Sequence, residues 1–186
     1  MTPSPSRCLA LLLLAALPLA AAAAPVPIEI ENPSFTPDEA GNLLGWQAIG
    51  HASGKSHEYA ADRVKPRSAP ASGRIKRTGH EPWGLLAQVV TVKPEWVGRS
   101  VRLSGYLRTA GATGTGGALV LQATNGSGSV MVHDHMDDRR VRGDQGWKQV
   151  TTQVRIPAGA YFVKVGVMLE DDGTLWADDL KLELLD

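Results

Sequence analysis

The sequence predicts an all-β protein, a two-sheet antiparallel β-sandwich. Three observations carry this. The run from Gly146 to Leu184 reads as strand, Pro157-Ala158-Gly159 turn, strand, Asp171-Asp172-Gly173 turn, strand, with Val154, Ile156, Val163, Val165, Val167 and Leu169 alternating with polar or small residues. Gly, Pro and Ser punctuate the chain at roughly the eight-to-twelve-residue spacing of a sandwich or barrel. Nowhere does a helical period extend over three turns.

The N-terminus is separate from the domain. Arg7 supplies a positive start, Leu9 to Leu19 an apolar run, and Ala20 to Ala24 small residues, the pattern of a cleaved secretory signal peptide over 1–24. The run is shorter than the roughly 20 residues of a membrane-spanning helix. The sequence therefore predicts one exported domain over 25–186, periplasmic or extracellular, with no further membrane span. Cys8, the one cysteine, lies within the leader, so the domain has no disulfide and depends on its core. Lys plus Arg and Asp plus Glu are both 19, without a basic stripe, which argues against nucleic acid as a partner.

The expected strands follow in order. They are Pro27 to Glu31, Trp46 to His51, Ser56 to Ala60, Gly73 to Arg77, Gly84 to Lys93, Arg99 to Thr109, Gly117 to Thr124, Ser129 to His133, Trp147 to Ile156, Tyr161 to Glu170 and Thr174 to Leu184. Asn125-Gly126-Ser127-Gly128 is a hairpin signal between two of them. Thr36 to Leu44 is expected to hold a short helical turn capped by Thr36. Within Arg99 to Thr109, the residues Val101, Leu103, Gly105 and Leu107 share the core side, whereas Arg102, Ser104, Tyr106 and Arg108 share the outer one.

Several segments resemble the galactose-binding-like jelly rolls, which include bacterial carbohydrate-binding modules of the CenC type. Asn32-Pro33-Ser34-Phe35 followed by Gly45-Trp46 is similar to their opening section. Gln88 after Leu85-Leu86, and the strand Val101 to Arg108, are similar to the middle. Gly146-Trp147 and Gly173 to Asp179 are similar to the close, and His135 to Gly143 resembles a loop of such domains. The resemblance implies a jelly-roll sandwich and structural positions for Trp46, Trp147 and Trp176. It also implies a structural calcium held by Asp179 with help from the Glu31-Asn32 region. Thr36 stands where the family often has an acidic residue.

Carbohydrate is the favoured ligand class. Trp83, in the loop His80 to Gly84 before a strand, is the candidate stacking platform, with Tyr106 as a second ring. Gln88, Arg108, Gln122 and His133 are the expected hydrogen-bonding groups on a concave sheet. Trp96 is expected to cover the sandwich edge. His133-Asp134-His135 would put both imidazoles on one side of a strand, with His80 or Glu81 as the conceivable third metal ligand. There is no Gly-x-Ser-x-Gly, His-Glu-x-x-His or phosphate loop, and nothing marks Glu81 and Asp134 as a glycosidase pair. The expectation is therefore a non-catalytic binding module. Docking on another exported protein, or on a second copy, is the alternative class, and a hydrolase with a loop-built site is the third.

Overall fold

A computed structural model describes residues 24–52 and 55–186; the predicted leader lies outside them apart from Ala24. The ten strands among the described residues are β1 (Val26–Ile28), β2 (Gln47–Gly50), β3 (His57–Asp62), β4 (Ser72–Arg77), β5 (Trp83–Thr91), β6 (Ser100–Thr124), β7 (Val130–Asp134), β8 (Val141–Arg155), β9 (Phe162–Glu170) and β10 (Thr174–Leu184). A short 3-10 turn at Pro94–Trp96 buries Trp96 at the edge.

Pairing is antiparallel throughout and resolves into two layers. The front sheet runs β2-β5-β9-β6-β7, using the second half of β6. The back sheet runs β3-β4-β10-β6-β8, using the first half, with β1 beside the end of β10. The sequence pattern predicts two strands between Arg99 and Thr124, but the structure has one strand of 25 residues. Gly111, Gly114 and Gly116 have φ of 58°, 62° and 86°, and the β6–β8 register shifts three times through this stretch. A backbone that glycine alone adopts easily, combined with bulges, bends one strand from the back layer into the front.

Alternation fills the space between the layers. Val101, Leu103 and Leu107 of β6, with Leu175, Ala177 and Leu182 of β10, face Leu119 and Leu121 of β6 and Val163, Val165, Val167 and Leu169 of β9, all buried. Phe35 is fully buried, and its ring stacks on Trp46 at 4.6 Å. The Trp46 indole N–H donates to the Asn32 carbonyl at 2.9 Å. The helical turn expected from Thr36 does not form. The Asn32 side chain takes up both the N–H and the carbonyl of Thr36, and Asp38 then accepts from the Gly41 and Asn42 amides to make a tight turn instead.

Candidate functional site

The outward face of the front sheet carries an unusual arrangement. Leu85, Ala87 and Val120 point away from the core, yet they are 7%, 1% and 2% exposed. They form an apolar cluster of their own, covered by Ile49, Trp83 and Met168. The strand registers fix the neighbours. Trp83 lies beside Glu170, Leu85 beside Met168, Ala87 beside Gly166, and Val89 beside Lys164. Across β9, Ala118 lies beside Met168, Val120 beside Gly166 and Gln122 beside Lys164. His133 sits opposite Gln122. At Gly166 an added Cβ would come within 2.5 Å of the Leu86 carbonyl, so the floor stays low at mid-sheet.

A polar border surrounds this floor. Glu170 accepts from Arg140 Nη1 at 2.8 Å, and Arg140, whose side chain is only 5% exposed, also reaches Asp137 at 3.2 Å. The ion pair holds the Glu170 carboxylate in place beside Trp83. The Trp83 ring meets His51 edge to face at 5.8 Å. On the opposite border the His133 and His135 rings lie 4.8 Å apart. Together these features make an apolar strip with an indole at one end, bordered by groups that donate and accept hydrogen bonds.

The residues predicted from sequence separate into three places. Trp83, Gln122 and His133 share this face, with Trp83 six residues along the strands from the row of Gln122 and His133. Gln88 does not, because it pairs with Val165 in the inward phase and clamps the backbone of Glu31, donating to its carbonyl at 2.9 Å and accepting from its N–H at 2.8 Å. Tyr106 and Arg108 point outward as expected, but from the back sheet, so they share no surface with Trp83. Sequence reasoning missed Glu170, Arg140 and Met168. Glu170 reads as a solvated turn residue, and only its in-phase relation to Met168 signals otherwise.

The metal expectations fare differently in the geometry. The Asn32 side chain is committed to Thr36 and the Leu44 carbonyl. Asp179 accepts from Ser68 Oγ at 2.7 Å and has the Arg67 guanidinium 3.8 Å away, so a cation already faces it. As placed, these two residues do not fit calcium, which needs about six to eight oxygen ligands. His133 and His135 lack a third partner, since no group of three or more His, Cys, Asp or Glu suited to a metal occurs among the described residues. Glu81 precedes β5 and Asp134 ends β7, three strands across and, by the registers, seven residues along the strand direction, too far apart for a glycosidase pair. Asp134 is occupied by Arg139 at 2.7 Å and by the Met136 and Gln153 amides.

His57 is buried with neither ring nitrogen hydrogen-bonded, and the half-buried His135 has a buried Nε2 without a hydrogen-bond partner. Burial lowers the pKa of each below the usual 6.5, assisted by the charge of Arg77 at His57 and by His133 at His135. A lowered folded pKa means that the neutral ring contributes stability above the unfolded value, and this is lost as pH falls from 6.5 through the folded pKa. The melting temperature is therefore expected to fall between about pH 7 and about pH 5. His57→Gln and His135→Gln should flatten that slope in thermal unfolding followed by circular dichroism. An unchanged slope in both variants would overturn the assignment.

No family model matches the sequence, and no curated protein matches it either. Solved structures do match. The CBM22-1 xylan-binding domain of Paenibacillus barcinonensis Xyn10C superposes with a TM-score of 0.61 at 18% identity, covering 88% of this chain and 99% of that one. The chain has the jelly-roll sandwich fold of carbohydrate-binding modules. A CBM4 structure gives a TM-score of 0.54 at 13% identity over 84% of this chain and 99% of that one. The enzymatically active domain of bacteriophage CBA120 tailspike protein 4 gives 0.63 at 12% identity over 84% of this chain. This jelly roll spans only 21% of the tailspike domain's length. At such identities the likeness is one of fold, and these sandwiches host unrelated ligands. Among the described residues no helix is long and apolar enough to cross a membrane.

Proposed function

We propose that the protein is an exported, non-catalytic module that binds a carbohydrate chain on the outer face of its front sheet. One observation carries this reading: on the outward side of the front sheet Ile49, Trp83 and Met168 lie over an apolar cluster of Leu85, Ala87 and Val120, with a charged and amide border around them. Sugar rings present apolar C–H faces and a hydroxyl perimeter, and an indole with flanking polar groups complements both. Glu170, ion-paired to Arg140, accepts hydrogen bonds from hydroxyls. Gln122, Lys164 and His133 serve the far side. The xylan-binding and carbohydrate-binding names of the fold relatives support a polysaccharide as the ligand class.

The test is a glycan array followed by calorimetric titration of the best ligand. Trp83→Ala should weaken binding by about 0.5–1.5 kcal/mol, the range for a lost aromatic contact. Titration curves identical to the unmodified protein would remove Trp83, and with it the proposed platform.

A further inference from the structure

The back sheet has a polar pocket on the side of the domain away from Trp83. Its outer face holds a cross-strand series of rings and guanidinium groups. Arg108 lies 4.0 Å from the Trp176 ring centroid and 5.3 Å from that of Trp147. One row along, the Arg67 guanidinium stacks on Tyr106 at 3.7 Å. Beside Tyr106 opens a cavity of about 460 Å3, lined in part by Arg67, Lys181, Ser34, Ser104, Gln149 and Asp179.

Arg67 is held in position. Its backbone N–H and that of Ser68 both donate to the Asp178 carboxylate, at 3.0 and 2.9 Å. Asp178 is fully buried, so the loop carrying Arg67 is tied to the sheet. The Arg67 guanidinium sits over the Tyr106 ring with its Nε 3.8 Å from Asp179, and a guanidinium edge matches a carboxylate in bidentate fashion. Lys181, exposed on β10 opposite Ser104, brings a second positive charge. The one carboxylate of the lining, Asp179, is already met by Ser68 and Arg67. The remaining groups, two hydroxyls and an amide, suit sugar hydroxyls.

We propose that this pocket is a second ligand site, specific for a carboxylate-bearing sugar residue, with Arg67 and Lys181 receiving the carboxylate and Ser104 and Gln149 the ring hydroxyls. It lies on the opposite sheet from Trp83 and does not depend on the site proposed there.

The experiment titrates the mature chain with an oligogalacturonate, with the same oligomer methyl-esterified, and with acetate. The acidic oligomer should bind more tightly than its ester by about tenfold or more, as loss of a charge-assisted hydrogen bond implies. Lys181→Glu and Arg67→Gln should each remove that preference, and Trp83→Ala should leave it unchanged. Lys181 is exposed, so its variant folds even if the Arg67 loop loosens. The proposal is overturned if the oligogalacturonate does not bind, if its ester binds equally, if Lys181→Glu binds it as the unmodified protein does, or if Trp83→Ala abolishes it. Acetate competing as strongly as the oligomer would overturn the sugar assignment.

Discussion

Phe35→Ala should destabilise the domain by about 3–5 kcal/mol, the cost of removing a fully buried aromatic side chain. The ring is 0% exposed and stacked on Trp46 at 4.6 Å. A Cβ at Gly73 would approach it to 2.5 Å, so ring and strand backbone are in close contact. Phe35 adopts φ of 52°, a left-handed conformation that a non-glycine residue keeps only when its surroundings compensate. With alanine the compensation disappears and a cavity opens between the layers. Trp46 also loses its stacking partner, and Trp46 leads directly into β2, the edge strand that carries Ile49 over the outer apolar cluster. The urea midpoint should therefore fall, and ligand affinity with it. Phe35→Leu should lose less, since it refills most of the volume. A loss below about 1 kcal/mol for the alanine variant would mean that the ring does not pack the core as described.

Asp178→Ala should cost about 2–3 kcal/mol, because it strands donors that now meet a charged acceptor. Its carboxylate accepts from the amides of Arg67 and Ser68, from Ser68 Oγ at 3.1 Å and from the Asp179 amide at 2.8 Å. Asp178→Asn keeps one oxygen acceptor and should be milder. Burial, outweighing these hydrogen bonds, raises the Asp178 pKa above 3.8. A raised folded pKa means that the acid form is favoured by folding, so this contribution is fully present below the unfolded value and declines as pH rises through the folded one. The Ala variant should thus be closest to the unmodified protein at neutral pH as far as the charge is concerned, and its remaining deficit there measures the hydrogen bonds. Denaturant titration with hydrogen exchange at Arg67 and Ser68 would read both. Protected amides in the Ala variant would show that the loop is anchored elsewhere.

Much of the architecture is legible in residue order. Thr174 to Leu184 is a strand with the predicted bounds, and Val101, Leu103 and Leu107 are buried as their alternation requires. Trp46 is a core residue, as the resemblance implies, because its ring completes the packing around Phe35. The site was less legible. Gln88 lies in Leu85-Leu86-Ala87-Gln88-Val89-Val90, which is apolar in both phases, so alternation could not tell which side faced the core. The inward phase is Leu86 and Gln88, leaving Leu85 and Ala87 to the outer apolar cluster beneath Trp83 and Met168. Glu170 looked like part of an acidic turn, and nothing local announces that Arg140, thirty residues away, would fix it beside Trp83.

By itself the sequence determined that this chain forms strands, which residues of most strands turn inward, and that export and sugar recognition are the natural expectations. Tertiary structure alone decided which layer each strand joins. The period of two distinguishes in from out within a strand, but it carries no label for the sheet. Where β6 bends at its glycines, Tyr106 and Arg108 go to one outer face and Gln122 to the other, so residues expected at one site lie on opposite sides of the domain.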